Sequence, residues 1–132
     1  MNTRRATVLV CTTCCAANGS SVKSPAGLLL ARGAVAALGD ARDVHIAGVR
    51  CLANCSRGPS AAIRCDGAWT YIFGNLEGSR DGPALVAGAR LLAAAADGLL
   101  PWQGRPEILK RAVIARLPPA SSSGDDIEAV PA

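Results

Sequence analysis

The sequence predicts an α/β domain in which a β-α-β unit is followed by a β-β-α unit, with a mixed four-stranded sheet and flanking helices. Three observations lead to this fold class. Two short β-branched runs flank a helical run that ends at a glycine, an Asp-Gly pair separates two alternating apolar runs, and a second helical run follows a Gly-Pro pair. The 132 residues suffice for one core. That core must be mainly aliphatic, because 50% of the residues are hydrophobic and only 3% are aromatic.

The first half of the chain carries the β-α-β signals. Ser24-Pro25 is typical of a helix start, because serine caps the free N–H groups and proline suits the first helical position. Gly39 is typical of a helix end. The predicted elements are a strand over 6–10, a loop over 12–23, a helix from 24 to about 38, and a strand over 44–51.

The second half carries the β-β-α signals. Asp66-Gly67 predicts a tight hairpin turn, and Asp81-Gly82-Pro83 predicts a helix start. The predicted elements are a loop over 52–59, strands over 61–65 and 68–73, a helix over about 82–96, and a short helix begun by Pro106 whose apolar residues are Ile108, Leu109, Ala112 and Val113. Together the two halves give the thioredoxin-like arrangement over residues 1–119. Residues 120–132 are polar and are predicted to form a flexible tail.

Charge and hydropathy exclude several classes of function. The net charge is +4, and the basic residues are scattered without a run interleaved with aromatics, so nucleic-acid binding is not expected. The most apolar segments, 28–38 and 85–100, each contain a charged residue, which disfavours a membrane helix. The apolar stretch near the N-terminus is too short for a signal peptide. We expect a cytoplasmic protein without membrane contact.

Six cysteines in a reducing compartment favour metal binding over disulfides. Cys11 and Cys14 follow the first predicted strand, and Cys51 and Cys55 lie at and beyond the end of the second. Because parallel strands of a β-α-β unit end at one edge of the sheet, the two loops are expected to bring these four thiols to one centre. Four thiolates suit a [2Fe–2S] cluster and also a tetrahedral zinc site.

The remaining cysteines are assigned different roles. Cys15 competes with Cys14 for one ligand position, and we favour Cys14 because it completes a CxxC spacing. Cys65 ends a strand that runs antiparallel to the first, so it is predicted to be a buried apolar thiol at the opposite edge and not a ligand. Arg50 and Arg57 flank the second pair and could offset the negative charge of the thiolates.

Two family resemblances follow from these residues. Cys51-Leu-Ala-Asn-Cys55-Ser-Arg-Gly58 resembles the second cysteine pair of thioredoxin-like [2Fe–2S] ferredoxins and of the small thioredoxin-like iron–sulfur subunit of respiratory NADH dehydrogenase, although the first pair is more closely spaced here. A longer match is to the bacterial DUF1636 family, whose members often accompany proteins of aerobic cobalamin synthesis. It is carried by Cys11-Thr-Thr-Cys14, by the Cys51 segment, and by residues 69–74, 97–102, 105–106 and 115–119. The resemblance implies a ferredoxin-like or metal-handling role near corrinoid synthesis.

Three functions are weighed on this basis. The favoured one is a one-electron carrier that passes electrons between a reductase and an acceptor such as a corrinoid-pathway enzyme, and no catalytic residue is required. The alternative is a zinc- or cobalt-binding or metal-delivery protein that uses the same cysteines. A thiol–disulfide oxidoreductase is disfavoured, because the predicted helix start at Ser24 lies well past the CxxC motif. His45, the single histidine, lies within a strand and is predicted to be structural.

A partner surface is a further expectation. Trp102 stands near Arg105, and an Arg-flanked tryptophan is common at protein interfaces. The same residues could instead cover the core. A redox partner protein is expected, and a homodimer is considered as well.

Overall fold

The computed structural model describes residues 4–13, 26–120 and 127–131. Within them, one sheet has the strand order β2-β1-β3-β4-β5, with β1 and β2 parallel and the other neighbours antiparallel. The strands are β1 (Ala6–Cys11), β2 (Val44–Val49), β3 (Ala61–Arg64), β4 (Thr70–Phe73) and β5 (Val113–Leu117). The helices are α1 (Ala26–Leu38), α2 (Gly82–Ala94) and the short α3 (Glu107–Arg111), and a single 3₁₀ turn spans Cys55–Arg57.

The core lies between the sheet and the helices. Val8 is fully buried and pairs with Ile46 on one side and with Ile63 on the other, so these three side chains project from the same face. Helix α1 packs on β1 and β2, and α2 packs on α1, β1 and β3. Because α1 and α2 contact each other as well as β1, both helices cover that one face.

The helix end predicted at Gly39 and the turn predicted at Asp66-Gly67 are confirmed, while the helix start predicted at Ser24-Pro25 lies outside the described residues. Gly39 follows α1 with a left-handed φ of 60°, and its N–H donates to the Val35 carbonyl at 3.1 Å, which closes the helix. Gly67 adopts a φ of 76° in the β3–β4 turn, where Ala68 N–H donates to the Cys65 carbonyl at 2.9 Å. The β-α-β and β-β-α order follows as expected.

In the part of the chain that the structure describes, the sheet has five strands and not the predicted four. The spacing of Ile108, Leu109, Ala112 and Val113 predicts a helix, but α3 ends at Arg111 and β5 begins at Val113. The β-branched pair Val113-Ile114 suits a strand, and β5 extends the sheet by pairing with β4. Each of the four predicted strands also differs at one boundary: β1 ends at Cys11, β2 at Val49 and β3 at Arg64, and β4 begins at Thr70. Cys51 therefore lies in the loop, two residues beyond its strand.

The helices are short. Helices α1 and α2 have 13 residues each. No helix within the described ranges is long and apolar enough to cross a membrane.

Candidate metal centre

Cys11 is the last residue of β1, and its side chain is fully buried. It stands opposite Val49, the last residue of β2, so both strands end at the same edge of the sheet. Its N–H donates to the Ser60 carbonyl at 3.0 Å, which holds the end of β1 against the start of β3. The first cysteine is thus fixed by backbone pairing on both sides.

Hydrogen bonds join the loop after β1 to the loop after β2. Thr12 N–H donates to the Val49 carbonyl at 2.9 Å, and the Thr12 hydroxyl donates to the same oxygen at 3.2 Å. The Thr13 hydroxyl donates to the Arg50 carbonyl at 2.5 Å. The Cys11 Sγ lies 3.8 Å from that Arg50 oxygen. The first thiol therefore lies beside the residue that immediately precedes Cys51, as the parallel-strand argument predicts.

Cys51 presents an exposed side chain at the start of the second loop. The Ala53 N–H donates to its Sγ at 3.2 Å, and Ala53 adopts a left-handed φ of 59° in this turn. A backbone N–H aimed at a cysteine sulfur is a contact that orients such a side chain at protein metal sites. This contact fixes the position of the Cys51 side chain within the turn.

Asn54 anchors the second loop to the sheet. Its Nδ2 donates to the Oγ of Ser60 at 2.8 Å, and Ser60 is fully buried. Arg57 N–H donates to the Asn54 carbonyl at 3.0 Å, and Asn75 N–H donates to the Arg57 carbonyl at 2.5 Å. These contacts connect the second cysteine loop to β3 and to the segment after β4.

Gly74 permits that close approach. A Cβ built there would lie 2.6 Å from Asn54 Nδ2 and 3.0 Å from the Arg57 carbonyl oxygen. Sequence reasoning did not assign Gly74, Asn54 or Ser60 to the site. The sequence does show a glycine directly after a strand and an asparagine within the cysteine loop. Their contact, however, depends on the order of the strands in the sheet, which the sequence pattern does not give.

The structure describes only some of the predicted ligands. Cys11 and Cys51 are brought to the same edge. Cys14 and Cys15 lie outside the described residues, and for Cys55 the structure describes the backbone, which begins the 3₁₀ turn, but not the side chain. The described part of the chain holds no cluster of three or more His, Cys, Asp or Glu side chains suited to a metal. The assignment of the four ligands therefore stays a prediction.

Cys65 lies at the opposite end of the sheet. It follows Arg64, which pairs with Thr7 near the start of β1, and its side chain is only 7% exposed. Burial raises the pKa of its thiol, an effect that the Arg4 charge opposes and the Asp66 charge reinforces. It lines an open cavity of about 510 Å³ with Arg64 and Asp66. The predicted location of this cysteine, remote from the end of β1, is confirmed.

His45 and the flanking arginines have exposed side chains. His45 stands opposite Thr7 in β2, facing away from the Val8 layer. Arg50 and Arg57 contribute their carbonyl groups to the loop hydrogen bonds, while their side chains extend towards solvent. Both arginines flank the second cysteine loop. Because their charges are exposed, salt screens them, and they affect only groups that lie nearby.

The fold is similar to that of a thioredoxin-like [2Fe-2S] ferredoxin from Aquifex aeolicus. The two share 16% sequence identity with a TM-score of 0.54, and the alignment covers 90% of this chain and 98% of the ferredoxin. This similarity establishes a thioredoxin-like fold.

No curated protein matches the sequence significantly. A family model described as "Protein of unknown function (DUF1636)" matches residues 8–119. Because that match spans most of the chain, the protein belongs to the DUF1636 family.

Proposed function

We propose that this protein is a one-electron carrier with a [2Fe–2S] cluster held by Cys11, Cys14, Cys51 and Cys55, with Cys15 as the alternative to Cys14. The observation that carries the proposal is the junction of the two cysteine loops. The Thr13 hydroxyl and the Cys11 thiol both contact the carbonyl of Arg50, which precedes Cys51 in the chain.

The residues present fit such a group. Iron–sulfur clusters require soft thiolate donors, and four cysteines are the usual number. The two described thiols differ in exposure, since Cys11 is fully buried and Cys51 is exposed. A cluster at this edge would therefore have one side shielded by the sheet and one side near solvent, where a partner protein can approach.

The chain itself sets the environment of the centre. Bound there, the cluster would supply reversible uptake of one electron. The Ala53 N–H, 3.2 Å from Cys51 Sγ, would then donate a hydrogen bond to a cluster-bound sulfur. The buried position of Cys11 excludes water from its side. Hydrogen bonding to sulfur and limited solvent access are the main means by which a protein adjusts the reduction potential.

The ferredoxin of similar fold supports iron over other metals, but the donors alone suit zinc or cobalt too. The proposed partner is a redox protein. The proposed link between this protein and corrinoid synthesis rests on the family resemblance. The proposed cytoplasmic location rests on the composition.

Anaerobic purification followed by iron and sulfide analysis tests the proposal. The expected result is two irons per chain and an electron paramagnetic resonance signal after dithionite reduction. Cys11→Ser and Cys51→Ser should each abolish or grossly alter that signal. Cys65→Ser is the matched control and should leave it intact. A colourless protein with stoichiometric zinc, or a signal unchanged in Cys11→Ser, would overturn the iron–sulfur assignment.

A further inference from the structure

A groove lies at the β5 edge of the sheet. It lies between β4, β5 and the segment that leads into α3, and its volume is about 390 Å³. We call it the Trp102 groove, and its main residues are Tyr71, Leu100, Trp102, Arg105, Lys110 and Arg116. Strand β5 is three strand positions from β1, which is about 14 Å at the usual strand spacing. No described residue of the cysteine loops lines the groove, so it is a surface distinct from the proposed metal centre.

Trp102 stands out on this surface because its side chain is 62% exposed. The guanidinium carbon of Arg105 lies 5.3 Å from its ring centroid, and the Lys110 Nζ lies 5.0 Å from it. Cations at these distances are attracted to the face of an indole ring. They hold the ring in place at the surface, where a large aromatic side chain is a common anchor for a protein partner.

The floor of the groove is fixed. Arg105 donates to the Leu100 carbonyl at 2.6 Å and to the Pro101 carbonyl at 3.1 Å. The Tyr71 hydroxyl accepts a hydrogen bond from the Leu100 N–H at 2.9 Å. Because these bonds hold the 99–105 segment against β4, the groove keeps its shape without a ligand, which lowers the entropic cost of binding.

The groove is positively charged. Its lining includes Arg105, Lys110 and Arg116, and no acidic residue lines it. Lys110 has one carboxylate near it, Glu107 at 3.6 Å, and that carboxylate is 75% exposed. The guanidinium carbon of Arg116 lies 4.5 Å from the centroid of the Trp69 ring. Arg116 makes no ion pair within the described residues. Two cations are thus placed to receive carboxylates from outside.

We propose that the Trp102 groove is the docking site for an acidic segment of a partner protein, with carboxylates on Lys110 and Arg116 and an apolar side chain on Trp102. Charge complementarity identifies this occupant, since positive patches select negative partners. The groove also borders β5, an edge strand of the sheet that can accept an extended segment.

Single-stranded nucleic acid fits these observations less well. Such sites stack successive bases on several exposed rings. Here Tyr71 is buried and Trp69 is half-buried beneath Arg116, so Trp102 is the only groove ring with an exposed face in the described residues. Arg105 also directs its donors at backbone carbonyls and not at solvent.

Nuclear magnetic resonance of the full chain tests the docking site. The chain has two tryptophans, so ¹⁵N-labelled protein gives two indole N–H signals, which Trp102→Phe assigns. The probe is the peptide acetyl-Glu-Glu-Phe-Glu-Glu-amide, and its glutamine analogue acetyl-Gln-Gln-Phe-Gln-Gln-amide is the neutral control. The acidic peptide should shift the Trp102 signal saturably, and its affinity should exceed that of the neutral peptide by about tenfold or more.

Charge variants complete the test. Lys110→Gln and Arg116→Gln should each weaken binding of the acidic peptide several-fold, whereas Arg42→Gln, an exposed cation remote from the groove, should not. Equal binding of both peptides, or no saturable shift, would overturn the proposal. An oligothymidylate that shifts the same signal at lower concentration would assign the groove to nucleic acid instead. None of these outcomes depends on the metal content, so failure here leaves the electron-carrier proposal standing.

Discussion

Gly74 lies against Asn54, so that the end of β4 supports the second cysteine loop. A Cβ at position 74 would come within 2.6 Å of Asn54 Nδ2, and within 3.0 Å of both the Arg57 carbonyl oxygen and Ile114 Cγ1. Asn54 in turn donates to buried Ser60 at the start of β3. The geometry of the cysteine loop is therefore coupled to a glycine that carries no chemistry.

Gly74→Ala is expected to displace this loop. The extra methyl group has backbone on one side and Ile114 on another, so overpacking should lower the free energy of unfolding by about 1–3 kcal/mol. If the loop carries ligands, the metal content of the purified protein should also fall. Urea unfolding and metal analysis measure the two effects.

Gly33→Ala in α1 provides the control. A Cβ there would meet the nearest atom, Gly82 Cα, at an ordinary contact distance of 3.7 Å. Alanine also favours the helix over glycine by about 0.5–1 kcal/mol, so stability should be unchanged or slightly raised. Equal stability of Gly74→Ala and Gly33→Ala would contradict the role assigned to Gly74.

Gly48 and Thr12 form a second tight contact at the same edge. A Cβ at position 48 would lie 2.5 Å from Thr12 Cγ2, while the Thr12 hydroxyl donates to Val49. Gly48→Ala should force the Thr12 side chain to move and lower the free energy of unfolding by about 1 kcal/mol or more.

The double variant Gly48→Ala with Thr12→Ser tests that explanation. Serine keeps the hydroxyl but lacks the Cγ2 methyl group, so the double variant should regain most of the lost stability. Thr12→Ser alone serves as the reference for the cycle. Additive losses in the double variant would show that Thr12 is not the source of the strain.

The sequence predicted the features that depend on local chemistry. Asp66-Gly67 and Gly39 were identified from turn and helix-end preferences, and both adopt the left-handed backbone that those preferences require. The meeting of Cys11 with the loop of Cys51 followed from the rule that parallel strands end at one edge. Such rules require only the order of elements.

The features that were missed depend on contacts distant in the sequence. The helical spacing from Ile108 to Val113 places Val113 in the predicted short helix and leaves the rest of β5 unassigned, and only pairing with β4 shows the strand. Gly74 and Ser60 join the site because β3 lies beside β1 and β4 lies beside β3. No spacing rule places residues from three strands around one loop.

Cys65 should remain a protonated thiol at neutral pH. Burial raises its pKa above the ordinary value of 9.0, with Arg4 acting in the opposite direction. The alkylation of Cys65 by iodoacetamide can be measured across pH by peptide mass spectrometry. The pH at which this alkylation rises should be higher in the folded protein than in urea. Equal profiles in both states would contradict the assignment.

The same shift predicts a loss of stability in alkaline solution. Because the folded-state pKa is above the unfolded value, the folded state binds the proton more tightly. This contribution is complete below the unfolded value of 9.0 and is lost as pH rises through the folded-state pKa. Urea unfolding at about pH 8 and about pH 10 should show the decline, and Cys65→Ala should reduce it. A decline that is as steep in Cys65→Ala as in the parent protein would assign it to other groups.

Ala53 is held in a left-handed conformation, with a φ of 59°, while its N–H donates to Cys51 Sγ. This backbone region costs a residue with a Cβ roughly 1–2 kcal/mol, and glycine avoids the cost. Ala53→Gly should therefore raise the free energy of unfolding by up to about 1 kcal/mol while keeping the N–H donor, whereas the β-branched Ala53→Val should lower it.

Asn75→Gly is the matched control, because Asn75 has a similar φ of 55° but asparagine tolerates it, so its gain in stability should be smaller. Urea unfolding of the three variants ranks them, and a stability for Ala53→Val equal to that of Ala53→Gly would show that the turn is not under this constraint.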